Sequence, residues 1–162
     1  MQILIEIGLS FVATACFSVI FNAPIKVIPW CGIVGALGWS IYALLSENGV
    51  YEVHASFVGA FVVAIVAHIY ARRFRMPMIV FSVSGILPLV PGGIAYNAMR
   101  HILEVEYLTG MEYGMRAFLI SGALAMGLVF AEVCMQLMFR FMHKGRTSIQ
   151  SFVKVKKATK LK

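Results

Sequence analysis

The stretch ILPLVPGG, at residues 86–93, places two prolines and two glycines inside one of the most hydrophobic regions of the chain. Proline removes a backbone donor and clashes with the preceding helical turn, and glycine adds backbone freedom. Non-helical backbone at membrane depth survives only where protein or a water-filled cavity satisfies its polar groups. The stretch therefore predicts a membrane helix that is broken at Pro88–Gly93 and faces a polar environment.

The composition places this broken helix in an integral membrane protein. Of the 162 residues, 60% are hydrophobic and 13% are charged, and the mean hydropathy is +0.87. A soluble globular protein is about half apolar and a quarter charged, so too few polar residues are present to cover a water-soluble surface. The sequence has no Asp, no phosphate-binding loop, no nucleophile elbow and no Cys/His cluster. We therefore expect neither an enzyme nor a bound cofactor or metal.

Apolar runs divide the chain into five candidate membrane-spanning helices, since a span needs about 20 mostly apolar residues. The fold class is therefore an all-α integral membrane protein of five transmembrane helices, with the fourth broken at Pro88–Gly93. Residues 1–143 form this transmembrane domain, and residues 144–162 form a basic cytoplasmic tail that we expect to be disordered. The predicted spans are Ile3–Phe21, Trp30–Leu45, Val53–Tyr70, Met78–Met99 and Met115–Met142.

The placement of Lys and Arg predicts the orientation, because cytoplasmic loops carry an excess of both. With the C-terminus inside, five alternating spans put 12 of the 14 basic residues inside and only Arg100 and Arg116 outside. We therefore predict an N-out, C-in multi-pass protein of the cell membrane, in which the fourth segment crosses fully rather than re-entering. Attraction to anionic lipids explains the basic tail without nucleic acid.

The segment after the break is predicted to restart as a half-helix, with Pro91 at its beginning. Its free N–H groups and positive dipole end then lie near the bilayer midplane, where they suit an anion. Discontinuous helices of secondary transporters hold substrate carboxylates in this way, although a kinked but inert helix also fits the pattern. The substrate-binding candidates are Pro88, Pro91, Gly92, Gly93 and the polar face formed by Tyr96, Asn97 and Arg100.

Glu132 is the carboxylate that lies deepest in a predicted span, within the stretch FAEVCMQL. An ionisable group at such depth is costly and usually faces a bundle interior or a cavity. It shares a helix face with Ser121, Ala125 and Leu128, which is small enough to line a path or to pack against a neighbour. One hypothesis is that Glu132 binds and releases a proton during a transport cycle. The alternative is a structural hydrogen bond or a carboxylate that reaches the membrane interface.

Two stretches, SVSGILPLVPGGIAYNAM and FNAPIKVIPWCGIVGALGW, resemble the threonine/serine exporter (ThrE) family, and within it the small split subunits called YjjB-like. The resemblance covers the chain up to about Arg140. It implies a secondary transporter that exports small carboxylate-bearing metabolites, either amino acids of the threonine/serine type or a dicarboxylate such as succinate. It also implies a YjjP-like partner, a five-span half with a soluble N-terminal region.

The number of spans agrees with a protein made of two halves, because two successive five-span units must have opposite orientations, as in inverted-repeat transporters. A non-transporting scaffold or regulatory subunit and a homo-oligomeric channel are the alternatives. The broken helix and Glu132 favour transport, since a scaffold needs neither. Stripes of small residues predict tight helix contacts, within the chain or with another chain; two of them are Ser56, Ala60, Ala64 and Ala123, Gly127, Ala131.

Overall fold

The computed structural model of the protein describes the backbone of residues 2–159 and the side chains of residues 3–140. This part is helical and contains no strand. Most of the predicted tail, residues 144–162, belongs to the last helix, which continues to Thr159, although the sequence predicts disorder there. No side chain is described in the tail, so its attraction to lipids stays a prediction. The elements are α1 (Gln2–Ile20), α2 (Ile28–Glu47), α3 (Glu52–Phe74), α4 (Met78–Ile86), a 3-10 turn (Leu87–Leu89), α5 (Gly92–Leu103) and α6 (Tyr107–Thr159).

Four helices in the described part are long and apolar enough to cross a membrane: α1, α2, α3 and the portion Tyr107–Arg140 of α6. Their mean hydropathy lies between 1.6 and 2.2. The segments Met78–Leu89 and Gly92–Leu103 meet at an angle of 50° and make a fifth span if they are counted together. The all-helical membrane fold with a broken fourth segment is confirmed, and the N-out, C-in orientation stays a prediction.

α3 lies at the centre of the bundle, because it packs against α2, α4 and α6. α1 packs along α2, and α5 packs on α6. The core between α2, α3 and α4 includes Val34, Val63 and Phe81, none of which has exposed surface. The ring of Phe81 stacks on Phe74 of α3 at a centroid distance of 6.2 Å. The 3-10 turn contacts α1, α2 and α3, so three helices enclose the first half of the break.

Hydroxyl side chains inside the helices are satisfied by the backbone of their own helix. Thr14 donates to the carbonyl oxygen of Ser10 at 2.7 Å, and Ser84 donates to that of Val80 at 2.7 Å. These bonds to the residue four positions earlier remove most of the cost of burying a hydroxyl. Both hydroxyl protons are therefore used in hydrogen bonds within a helix and are not available to a solute.

α6 begins at Tyr107, whereas the predicted fifth span begins at Met115. The earlier start follows from the close packing of α5 on α6. A Cβ on Gly110 would lie 2.6 Å from Cγ1 of Ile102, so the first turns of α6 already rest on α5. Glu112, which precedes the predicted fifth span, therefore lies within α6.

The two small-residue stripes predicted on the third and fifth spans meet within this chain, at the contact between α3 and α6. Ala60, Ala64 and Ala131 have no exposed surface. A Cβ on Gly127 would lie 2.6 Å from the carbonyl oxygen of Phe57 and 3.1 Å from the Cβ of Ala60. Small residues allow membrane helices to approach closely. Gly127 faces a backbone oxygen, which cannot move away by a change of side-chain rotamer.

Gly127→Ala is expected to destabilise the protein by about 1–3 kcal/mol, because the added methyl group pushes α3 and α6 apart. Gly122, on the same helix, is the matched control, since nothing lies within 4 Å of a Cβ there. Gly122→Ala should be neutral or stabilising by up to about 1 kcal/mol, because alanine favours a helix over glycine. Equal loss of stability in the two variants, measured by unfolding in detergent, would contradict the close contact.

Candidate functional site

The chain bends at Pro88–Gly93 through two consecutive turns. The first is the 3-10 turn Leu87–Leu89, directly after α4. In the second, Pro91 has φ −76° and ψ 52°, and the N–H of Gly92 donates to the carbonyl oxygen of Val90 at 2.7 Å. This is the geometry of an inverse γ-turn. The break therefore has a defined local structure, in which each proline occupies a position that requires no N–H from it.

The N-terminus of α5 presents free backbone donors. The N–H of Ala95 donates to the carbonyl oxygen of Pro91 at 3.0 Å, and no side chain caps the helix. Within residues 3–140, no protein acceptor meets the N–H of Gly93 or of Ile94. Such groups carry the partial positive charge of a helix N-terminus, so they suit a carboxylate or another anion.

A cavity of about 270 Å³ lies at the break, and we call it the break cavity. Its volume is slightly below the roughly 300–1,000 Å³ of pockets that hold drug-sized ligands, so it fits a small metabolite. Helices α2, α3, α5 and α6 and the 3-10 turn all contribute to its wall. Five of the seven predicted substrate-binding residues line it: Pro88, Pro91, Gly92, Gly93 and Asn97.

The other two predicted substrate-binding residues, Tyr96 and Arg100, lie outside the wall of the break cavity. Tyr96 is 69% exposed on the surface of α5. The Nε of Arg100 lies 2.9 Å from Oε1 of Glu104, one turn further along the same helix. Both side chains therefore face away from the chain's own cavity, and their contact with a solute stays a prediction.

Seven lining residues of the break cavity were not among the predicted site residues, and three of these have polar side-chain atoms: Trp39 and Tyr42 of α2, and Ser56 of α3. The indole Nε1 of Trp39 is buried and has no hydrogen-bond partner within the described residues. The hydroxyl of Ser56 already donates to the carbonyl oxygen of Glu52 at 2.7 Å. Trp39 therefore brings to the cavity a buried N–H donor that has no acceptor within the described residues. The sequence signal for Trp39 was that it lies about one helical turn from a second aromatic residue with a polar atom, Tyr42, within a predicted span.

Glu132 lies on α6, exposed on the surface of the chain. Its Oε1 accepts a hydrogen bond from the Nε2 of Gln136 at 3.4 Å. Ser121 and Ala125, on the same helix face, are also exposed. The structure therefore does not bring Glu132 into the break cavity, and its position fits the predicted alternative of a face that packs against a neighbour.

A second cavity shares lining residues with the break cavity, and a third shares a lining residue with the second. A cleft of about 340 Å³ between α1 and α2 shares Trp39 and Tyr42 with the break cavity. A larger cavity of about 720 Å³ shares Ser46 with that cleft. In this larger cavity Arg116 of α6 pairs with Glu52 of α3, and its Nε lies 2.9 Å from Oε2. The α2 side chains thus connect the break to the end of the bundle that carries the ion pair.

A comparison with known protein families identifies the family to which the chain belongs. The family model described as Threonine/Serine exporter, ThrE, matches residues 6–134, which is most of the chain. The chain belongs to the threonine/serine exporter family. It is therefore a multi-pass membrane transport protein, for which the plasma membrane is the natural location.

The match to the threonine/serine exporter family includes the broken helix and every residue that lines the break cavity. It therefore confirms the family that the sequence resembles. The finer assignment to the small split subunits stays a prediction. No solved structure matches the chain.

Proposed function

We propose that this exporter-family chain is one membrane subunit of a secondary transporter that moves small carboxylate-bearing metabolites out of the cell. The proposed substrates are amino acids of the threonine/serine type or a dicarboxylate such as succinate. The supporting observation is that Gly93 and Ile94, with free N–H groups, and Trp39, with an unpaired indole N–H, line the same cavity. Donors without acceptors suit a solute that supplies carboxylate oxygens.

The polar side chains of the break cavity favour an amino acid or hydroxy acid. Among residues 3–140, no charged side chain lines the cavity, so recognition by these residues depends on neutral donors and acceptors. The amide of Asn97 offers both N–H donors and a carbonyl acceptor, and the hydroxyl of Tyr42 can also do both. A hydroxyl or ammonium group next to the carboxylate therefore finds an acceptor in the same cavity.

The proposed transporter includes a YjjP-like partner, a five-span half in the opposite orientation that completes the site. Gly92 and Gly93 are exposed although they line the cavity, and Tyr96 and Arg100 are exposed on the same helix. A partner that covers α5 closes the cavity and brings these side chains close to the solute. This agrees with transporters built from inverted repeats, whose sites lie at the repeat interface.

Transport by the two-subunit protein is proposed to be coupled to protons through Glu132. An exposed carboxylate at membrane depth is costly unless it meets a partner chain or water. Glu132→Gln is expected to remove most of the dependence of efflux on a pH gradient, while exchange of labelled for unlabelled substrate continues. Glu6→Gln, which changes the other carboxylate in a predicted span, serves as the control. Full pH-driven efflux in the Glu132 variant would contradict the proton role.

The proposed function is tested by efflux of radiolabelled substrate from vesicles that contain the chain with and without its partner. Threonine, serine, succinate and an uncharged amino-acid amide are compared at several pH gradients. We expect gradient-dependent efflux of one or more carboxylates with the partner and none of the amide. Full activity without the partner would favour a homo-oligomeric channel, and no carboxylate efflux in either case would favour a scaffold.

A further inference from the structure

A second polar groove lies between α3 and α6, at the opposite end of α3 from its ion pair with α6. It has a volume of about 420 Å³, and we call it the basic groove. Two rows of side chains, each one helical turn apart, form its walls. His68 and Arg72 come from α3, and Gln136, Phe139 and Arg140 come from α6. The groove does not share a lining residue with the break cavity.

The two arginines of the basic groove lie at the boundary of the apolar spans. Arg72 is in the last turn of α3, which ends at Phe74. Arg140 lies two residues before Met142, where the predicted fifth span ends and the basic residue Lys144 follows. Because both spans end here, both guanidinium groups lie at the level of the lipid phosphates.

The basic side chains of the groove have no hydrogen-bonded or ion-paired partner within the described residues. Within residues 3–140, no carboxylate lies within ion-pair distance of Arg72 or Arg140. The Nδ1 of His68 is buried and has no hydrogen-bond partner there either. Glu132, one turn from Gln136, is the acidic residue nearest along α6, and its Oε1 accepts from the Gln136 amide. The two permanent positive charges therefore exceed the one negative charge near them.

Phe139 fixes one of the two charges in the groove. The Cζ of Arg72 lies 3.1 Å from the centroid of the Phe139 ring. This cation–π contact holds the guanidinium over the ring and leaves its edge N–H groups free. A planar guanidinium with free edges matches two oxygens of a phosphate group.

The same two helices offer an apolar surface deeper in the membrane. Phe61 of α3 and Phe130 of α6 pair at a centroid distance of 6.4 Å, about three helical turns from the arginines. Phe130 is 61% exposed, and Val133, near it on α6, is 49% exposed. A ligand with a phosphate head and a hydrocarbon tail therefore fits this surface better than a soluble anion does.

We propose that the basic groove binds one anionic phospholipid, with its phosphate between Arg72 and Arg140 and an acyl chain along Phe130. Basic pockets between membrane helices are suited to anionic headgroups. The lipid bridges α3 and α6 at the end of the bundle where no ion pair joins them within the described residues. The basic tail plays no part in this site.

The proposal is tested with the full-length chain in detergent, by native mass spectrometry of retained lipid after addition of phosphatidylglycerol or phosphatidylcholine. All basic residues of the tail are first changed to Gln, so that the tail does not contribute anionic-lipid binding: Lys144, Arg146, Lys154, Lys156, Lys157, Lys160 and Lys162. This parent protein should retain one phosphatidylglycerol and little phosphatidylcholine. From about 1 kcal/mol for each basic residue near the surface, Arg140→Gln should weaken retention about fivefold, and the Arg72→Gln, Arg140→Gln double variant about thirtyfold.

Arg73→Gln is the matched control, because Arg73 adjoins Arg72 but does not line the groove. It removes the same charge and should retain the lipid. Equal losses in the control and in Arg140→Gln would overturn the site, as would full retention in the double variant. Inorganic phosphate is added in a separate arm, and displacement of the lipid at equal concentration would show a soluble-anion site instead. Arg140 is exposed, so its single variant remains informative if loss of the Arg72–Phe139 contact unfolds the double variant.

Discussion

Leu89→Ala is expected to destabilise the protein by about 2–3 kcal/mol and to reduce substrate efflux. Leu89 is 5% exposed and packs in a core cluster with Ala60, Ile120 and Leu124. A Cβ on Gly59 would lie 2.6 Å from Cδ2 of Leu89, so the leucine inserts where α3 has no side chain. It is the anchor that holds the broken segment against the bundle.

The expected loss of stability in Leu89→Ala depends on the apolar environment of this leucine. In soluble proteins, Leu→Ala in a core costs about 2–5 kcal/mol, which combines loss of transfer from water with the cavity that remains. In a membrane the alternative surroundings of the side chain are also hydrocarbon, so the transfer part shrinks and the packing part remains. We therefore expect the lower part of that range.

Val90→Ala is the control for Leu89→Ala, because Val90 is the next residue in the same turn and is 51% exposed. It should change the free energy of unfolding by less than about 1 kcal/mol. Both variants are compared by unfolding in detergent and by efflux from vesicles. If the two variants lose equal stability, Leu89 is not the anchor of the break.

The position of the break could be predicted from the sequence because proline acts locally. α4 ends at Ile86, two residues before Pro88, and α5 begins at Gly92, directly after Pro91. A proline removes one particular N–H and fixes its own φ, so its effect does not depend on distant residues. The spans were likewise predictable, since a run of apolar residues is a local property.

The rotation of each helix in the bundle could not be predicted in the same way. In a soluble protein the polar face of a helix shows which side is exposed, but in a membrane both the packed and the lipid-facing sides are apolar. Trp39 and Tyr42 were therefore missed, although they line the break cavity. Tyr96 was included because it is polar, yet it is 69% exposed.

The small-residue stripes show a second feature that the sequence predicted only in part. Spacing predicted that α3 and α6 each have a surface for close packing, but it did not say which surfaces meet. The structure pairs the two stripes through Gly127 and Ala60. The opposite face of α6, which carries Ser121 and Glu132, stays exposed. The exposed surface of α6 therefore carries Ser121 and Glu132 among apolar side chains. Which face is exposed depends on which stripe packs in the core.

Trp39→Phe is expected to weaken substrate binding by about 10- to 100-fold without destabilising the protein. The change keeps an aromatic ring and removes the indole N–H, which is buried and unpaired in the empty cavity. A hydrogen bond to a charged group contributes about 1.5–3 kcal/mol. Removing the indole N–H therefore destabilises mainly the complex with a carboxylate substrate. Without substrate, the Trp39→Phe variant has one buried unpaired donor fewer, so its free energy of unfolding should equal that of the parent or be slightly higher.

The chain has two tryptophans, Trp30 and Trp39, which provides both a control and a measurement. Trp30 packs against Tyr70 at a centroid distance of 5.0 Å and does not line the break cavity. In Trp30→Phe protein the fluorescence of Trp39 should therefore respond to threonine, serine or succinate and yield the affinity. In Trp39→Phe protein the fluorescence of Trp30 should not respond, and affinity is measured with radiolabelled substrate.

Two outcomes of the tryptophan experiment would count against the break cavity as the substrate site. Affinity of the Trp39→Phe variant within about twofold of the parent would mean that the indole N–H does not reach the carboxylate. An equal loss in Trp30→Phe would mean that either ring acts through general packing. A tenfold or larger loss confined to Trp39→Phe, with unchanged stability, places the carboxylate beside the N-terminus of α5. No packing role predicts that combination, because a packing defect lowers stability before it lowers affinity.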